Sequence, residues 1–196
     1  MQPLKREDLY PLEQYAARRA QFRAEVMAHK RDRQVAVGPN ATLSFEDRLT
    51  MQYQVQEMLR AERIFEPAGI EEELAAYNPL IPEGTNWKAT LMLEFPDVDE
   101  RRAALARLKG IESRVWVRVA GHEPIYAIAD EDLDRTNADK TSSVHFLRFE
   151  LRPDMIRAAK RGAAIALGID HEAYRHALDP VPANVRGSLA ADLQEN

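Results

Sequence analysis

Residues 87–95 read Trp-Lys-Ala-Thr-Leu-Met-Leu-Glu-Phe. Trp87, Ala89, Leu91, Leu93 and Phe95 fall on one side of an extended chain, and Lys88, Thr90 and Glu94 on the other. Successive side chains of a strand point to opposite faces, so this stretch is a strand with one face in a core. Residues 144–151 repeat the pattern. Residues 115–120 and 125–129 are two more strands, joined by the turn Gly121-His122-Glu123-Pro124. A further hairpin is expected where 34–37 and 41–45 flank Gly38-Pro39-Asn40, because these turn residues reverse the chain.

Helical patterns surround the strands. Over residues 7–33 the apolar positions Leu12, Tyr15, Ala16, Phe22, Val26 and Met27 recur mostly at helical spacing, which predicts a long amphipathic helix. Its end, His-Lys-Arg-Asp-Arg at 29–33, reads as a solvated basic turn that complements the helix dipole. Ser44 with Asp47 resembles a capping signal for a second helix over 45–63. A shorter helix follows over 63–78, and residues 78–86, Asn-Pro-Leu-Ile-Pro-Glu-Gly-Thr-Asn, form a loop. Asp97 and Glu100 cap a helix that Gly110 closes; Pro153 opens another, with Gly168 as its stop. The expected fold is therefore α+β: an antiparallel sheet of about five to six strands covered by helices, with a long N-terminal helix and C-terminal helices. Residues 1–180 read as a single α+β domain and 181–196 as a C-terminal tail with a short helix.

Composition removes several chemistries. The chain of 196 residues has no cysteine, which rules out disulfides, thiolate zinc or iron–sulfur ligation and a cysteine nucleophile within it. A formal net charge of −5, from 27 basic and 32 acidic residues, argues against a nucleic-acid footprint. No apolar run approaches the roughly 20 residues that span a bilayer. The first residues lack the apolar core of a signal peptide. The chain reads as cytoplasmic, with no nucleic-acid and no membrane partner. Eight glycines, none clustered, leave no phosphate-binding loop.

Three places could carry function. On the second helix, Glu46, Thr50, Tyr53 and Glu57 lie along one stripe, and three glutamines interrupt the apolar face. Such a stripe lines a pocket, with Glu57 as base or ligand and Arg48 as an anion clamp, or it is simply a solvated surface. His145 shares the apolar strand face with Leu147, Phe149 and Leu151, where a histidine needs a hydrogen-bond partner or a metal. Arg48, Gln52, Glu57 and His145 make the candidate pocket. His145, His122 and Glu57 make a candidate metal site, a histidine–carboxylate set suited to iron, manganese or zinc. Opposite His145, residues Arg148 and Glu150, with Glu94 and Arg118 in phase, form either an ion-pair ladder or a polar site under a covering helix. Two apparent motifs fail on spacing. His171 and His176 are five apart where a zinc helix needs four. Asp130, Asp132 and Asp134 open like a calcium loop but meet Arg135 and Thr141 where glycine and glutamate belong.

Four runs carry a resemblance: VAVGPNATLSFEDRLTMQYQVQEMLRAERIFE, AYNPLIPEGTNWKATLMLEFPDVDERR, VWVRVAGHEPIYAIADEDL and SSVHFLRFEL. Together they resemble a bacterial family known as domain of unknown function 3501, over nearly the whole chain. The resemblance implies neighbouring genes for rubrerythrin-like and iron–sulfur proteins, and thus a role in redox metabolism or peroxide defence. It implies no catalytic residue. Two readings stay open. One is an accessory or binding protein working with a rubrerythrin-like or iron–sulfur redox partner, through the Gly-His-Glu-Pro tip or the loop 78–86. The other is a metal-dependent enzyme or small-molecule binder, with a His/Glu/Arg site between the second helix and the sheet.

Overall fold

The computed structural model describes residues 1–132, 135 and 140–195. A first antiparallel sheet contains β1 (Gln34–Ala36), β2 (Ala41–Glu46), β3 (Asn86–Leu93), β6 (Ile128–Ala129) and β7 (Val144–Glu150), in the order β1-β2-β3-β7-β6. A second contains β4 (Val115–Val119), β5 (Ile125–Tyr126), β8 (Ile165–His171) and β9 (Tyr174–Leu178), in the order β5-β4-β8-β9. The helices are α1 (Leu12–Lys30), α2 (Arg48–Glu62), α3 (Pro67–Tyr77), α4 (Val98–Arg107), α5 (Pro153–Lys160) and α6 (Ala183–Ala191). This is the expected antiparallel α+β architecture, with a second sheet beside the first. The chain passes from one sheet to the other at Ala127, between β5, paired with β4, and β6, paired with β7.

Register explains the layers. Leu43 and Leu91 stand opposite each other, as do Phe45 and Ala89, and Trp87 and Phe149. These residues share one buried cluster with Val115, Val117, Ile165 and Leu167 of the second sheet. The apolar faces of the two sheets therefore close on each other. The other face of the first sheet carries Ser44, Glu46, Lys88, Thr90 and Arg148, and α2 and α3 cover it. Met51, Val55 and Leu59 of α2 pack with Leu74 of α3 and Leu4 in a separate small core.

Three expectations are corrected. The helix expected from Pro153 to Gly168 stops at Lys160, where Gly162 has a φ of 88°. Residues 165–171 then form a central strand of the second sheet, opposite β4. Gly168 is no helix stop: a Cβ there would lie 2.6 Å from the Trp116 ring, so glycine is needed for close approach. Second, Ser44 lies in β2, and the cap of α2 is Asp47, whose carboxylate accepts from Thr50 N–H at 2.9 Å. Third, the basic end of α1 is not wholly solvated. Arg33 is 1% exposed and donates to the Phe45 and Glu46 carbonyls, to Ser188 and to Asp192. The segment after Pro180 buries one face, with Val181, Val185, Leu189 and Leu193 all in the main core.

Candidate functional site

The residues singled out on α2 turn out to be fasteners. Gln52 donates to the Asp8 carbonyl at 2.6 Å, and Arg48 pairs with the Asp8 carboxylate at 2.6 Å. Buried Gln56 accepts from Tyr10 N–H at 2.6 Å and donates to the Tyr10 carbonyl at 3.2 Å, as a neighbouring strand would. The polar stripe thus docks the segment before α1. Glu57 accepts from the Tyr15 hydroxyl at 2.6 Å and from both Nε and Nη2 of Arg19, at 2.8 and 2.7 Å. Arg19 pulls the Glu57 carboxyl below its usual range, while burial first and then Glu57 push the Tyr15 phenol up. This carboxylate clamps α1 to α2.

His145 faces the other way, on the apolar side of β7 opposite Leu91. Its Nδ1 lies 2.6 Å from Asp130 and its Nε2 lies 2.9 Å from the Thr141 hydroxyl and 3.1 Å from the Ser142 carbonyl. Asp130 is in the left-handed region, with a φ of 51°, an uncommon state for a residue with a Cβ. Its other carboxylate oxygen accepts from Phe146 N–H at 3.0 Å. Hydroxyl, imidazole and carboxylate follow one another here in the order of a nucleophilic triad. Yet the hydroxyl belongs to a residue 1% exposed, so the arrangement is a latch that holds the chain leaving β6 against β7. His122 is placed elsewhere again, 3.3 Å from Asp154.

The structure therefore does not assemble the expected sets. Arg48 and Gln52 meet at Asp8, but Glu57 holds α1, His145 holds Asp130 and His122 holds Asp154. Among the described residues no group of three or more histidine, aspartate or glutamate side chains is placed to hold a metal ion. The ladder is also redistributed. Arg148 binds Glu150 at 2.7 Å and Glu131 at 2.8 Å. Arg118 lies in the second sheet and pairs with Asp179, and Glu94 accepts from Thr42 at 2.8 Å. Alternation had placed these side chains on a face; it could not say to which sheet each strand belongs. Of the calcium-like aspartates, Asp132 pairs with Arg135 and Asp134 lies outside the described residues. His171 and His176 sit on the β8–β9 hairpin, where His171 lies 3.1 Å from the Lys109 carbonyl.

Between α3 and the first sheet lies a cleft of about 640 Å³. Its walls include Ala75, Ala76, Leu80 and Phe146, and its polar groups include Lys88 and Arg148. These two stand directly opposite each other on β3 and β7. Pro79, Leu80 and Glu83 of the loop 78–86 line it as well. Arg148 grips Glu131 through Nε and Nη2, at 2.8 and 2.9 Å, and holds the Glu131 carboxyl below its usual range. Lys88 is 7% exposed, and its Nζ donates to the Pro79 carbonyl at 2.7 Å. Lys88, Arg148 and the loop were each visible in the sequence. What joins them is the β3–β7 register and the fold of the loop over the sheet.

No described helix is long and apolar enough to cross a membrane. Among curated proteins none matches the chain. A crystal structure of a novel protein of unknown function from Burkholderia pseudomallei K96243 has a TM-score of 0.94 and 50% sequence identity, covering 98% of this chain and 100% of that one. A family model described as "Protein of unknown function (DUF3501)" matches residues 3–193. With the same architecture and half its residues shared with a solved structure, and with nearly its full length matched by that model, the chain belongs to the DUF3501 family.

Proposed function

We propose that this protein binds a small organic molecule in the cleft between α3 and the first sheet, and serves as an accessory protein to a redox partner. The observation that carries the first half is the cleft itself. Its volume of about 640 Å³ lies within the range of small-molecule sites, and apolar walls with a few polar groups are the usual lining. The floor is two central strands, so the shape is preorganised. The test is titration with the neutral fluorescent probe N-phenyl-1-naphthylamine. Saturable one-to-one binding is expected, weakened at least about tenfold by Ala76→Trp, which places a bulky ring at an exposed position of the lining. Binding that Ala76→Trp leaves unchanged would remove the cleft as the site.

The second half rests on the family resemblance, which implies a rubrerythrin-like or iron–sulfur protein as the partner. The loop 78–86 lines the cleft, so ligand and partner would meet on one face of the molecule. Cross-linking of the tagged full chain in its native extract is expected to join this loop to a redox protein. Cross-links confined to other surfaces, or to proteins without a redox centre, would defeat the partner assignment.

A further inference from the structure

Among the described residues, Arg148 in the cleft and Arg135 beside it are both closed by carboxylates. Arg148 meets Glu131 as a two-bond fork, with Glu150 on its remaining arm. Arg135 meets Asp132 in the same way, at 2.5 and 2.7 Å. Charge-assisted forks of this kind satisfy both partners. Lys88 is different. Its ammonium has three donors; among the described residues it donates one hydrogen bond, to Pro79 O at 2.7 Å. The nearest carboxylate oxygen in an ion pair with it, on Glu83, lies 3.8 Å away, too far for a hydrogen bond. Glu83 is itself 69% exposed and accepts from the Asn86 amide at 3.0 Å. A nearly buried ammonium with one short hydrogen bond keeps donors that an anion entering the cleft can take up.

We infer that the cleft takes a single-headed organic acid, resting on the reading of the cleft as a ligand site. Its carboxylate binds Lys88 Nζ, and a short apolar body lies against Leu80, Phe146 and the alanines of α3. The lining also sets an upper limit on charge. Glu83, Glu131 and Asp132 surround the same space, and both arginine forks are already closed. Among the described residues, a second acidic group on the ligand would meet carboxylates and no open cation. Monocarboxylates are therefore selected over dicarboxylates of the same length, and over the neutral alcohol that lacks the head.

The experiment displaces N-phenyl-1-naphthylamine from the full chain at neutral pH with octanoate, 1-octanol or octanedioate. Octanoate is expected to displace the probe at a concentration at least about tenfold lower than either of the others. Lys88→Met should abolish that advantage, and Lys88→Arg should retain part of it. If 1-octanol or octanedioate matches octanoate on the unmodified chain, the acid class is overturned although the cleft still binds the probe. If the probe does not bind the unmodified chain saturably, both the cleft reading and this inference fall. Because the comparison on the unmodified chain is decisive, a Lys88 variant that fails to fold leaves the test intact.

Discussion

Arg33→Met should destabilise the protein by about 3–5 kcal/mol, the range for removing one partner of a buried ion pair. Arg33 sits between elements far apart in sequence. Its guanidinium reaches Asp192 at 2.5 Å and Ser188 at 2.9 Å on the α6 side, and the Phe45 and Glu46 carbonyls on the β2 side. Asp47, which caps α2, lies 3.4 Å from its Nε, and His29 lies 2.5 Å from the same carboxylate. Methionine fills much of the volume but satisfies none of these acceptors, so buried carboxylates lose their cation.

The pH dependence has a definite sign. Burial pushes the Asp192 carboxyl up to about 6 against the pull of Arg33, with Asp47 adding to the rise. The unfolded chain holds this proton only below the ordinary aspartate value, near 3.9. Between those values the folded state binds more protons, so this group's contribution to stability falls as pH rises toward 6. Without Arg33 the carboxyl rises further. The penalty of Arg33→Met is therefore largest at neutral pH and shrinks as pH falls through about 6. Urea melts at pH 7 and pH 5 would show this. A loss below about 1 kcal/mol at pH 7 would mean that the contacts of Arg33 contribute almost nothing.

Trp87→Ala should cost a similar amount, about 3–5 kcal/mol, as expected for deleting a buried aromatic ring. Trp87 has no solvent exposure and stands on β3, in the centre of the first sheet, where its apolar face meets the second. Its indole N–H also donates to the Leu189 carbonyl at 2.8 Å. That carbonyl lies in the last turn of α6 and otherwise accepts only a long bond, from Asp192 N–H at 3.3 Å. Trp87→Phe separates the two effects. It keeps most of the packing and should lose about 0.5–1.5 kcal/mol, the net worth of one hydrogen bond. Calorimetric or urea unfolding of both variants checks the ordering. Equal losses would show that packing of the ring contributes little beyond its hydrogen bond.

Both residues anchor the C-terminal helix, which the sequence presents as a tail. The short helix expected there is present; what it packs against could not be read from the sequence. Over residues 181–193, Val181, Val185, Leu189 and Leu193 recur every four positions. That spacing marks one apolar face but not what lies against it. The surface it meets comes from Trp87 and Arg33, roughly a hundred residues or more earlier. Helix 153–168 failed for a related reason. Ile165 to Ile169 is a short apolar run, equally compatible with a helix and a buried strand, and only pairing with β4 decides between them.

Local chemistry was legible wherever it is decided within a few residues. The alternation at 87–95 set out the faces of β3, the Asp97 cap marked the start of α4, and the hairpin at 38–40 followed from its turn residues. The polar α2 and the buried His145 were equally visible as anomalies. Their meaning was not, because a glutamine or histidine on an apolar face must have a partner, and the partner's identity depends on distant chain. Gln56 holds the backbone at Tyr10, and His145 holds Asp130. By itself the sequence determined the antiparallel α+β class, the faces of its strands and the absence of thiol chemistry, since these depend on periodicity and composition alone. The tertiary structure decided that there are two sheets, that α6 belongs to the core, and that Lys88 and Arg148 share a cleft under α3. Those are matters of register and long-range packing, settled by which strand edge and which helix face compete best for the same apolar surface.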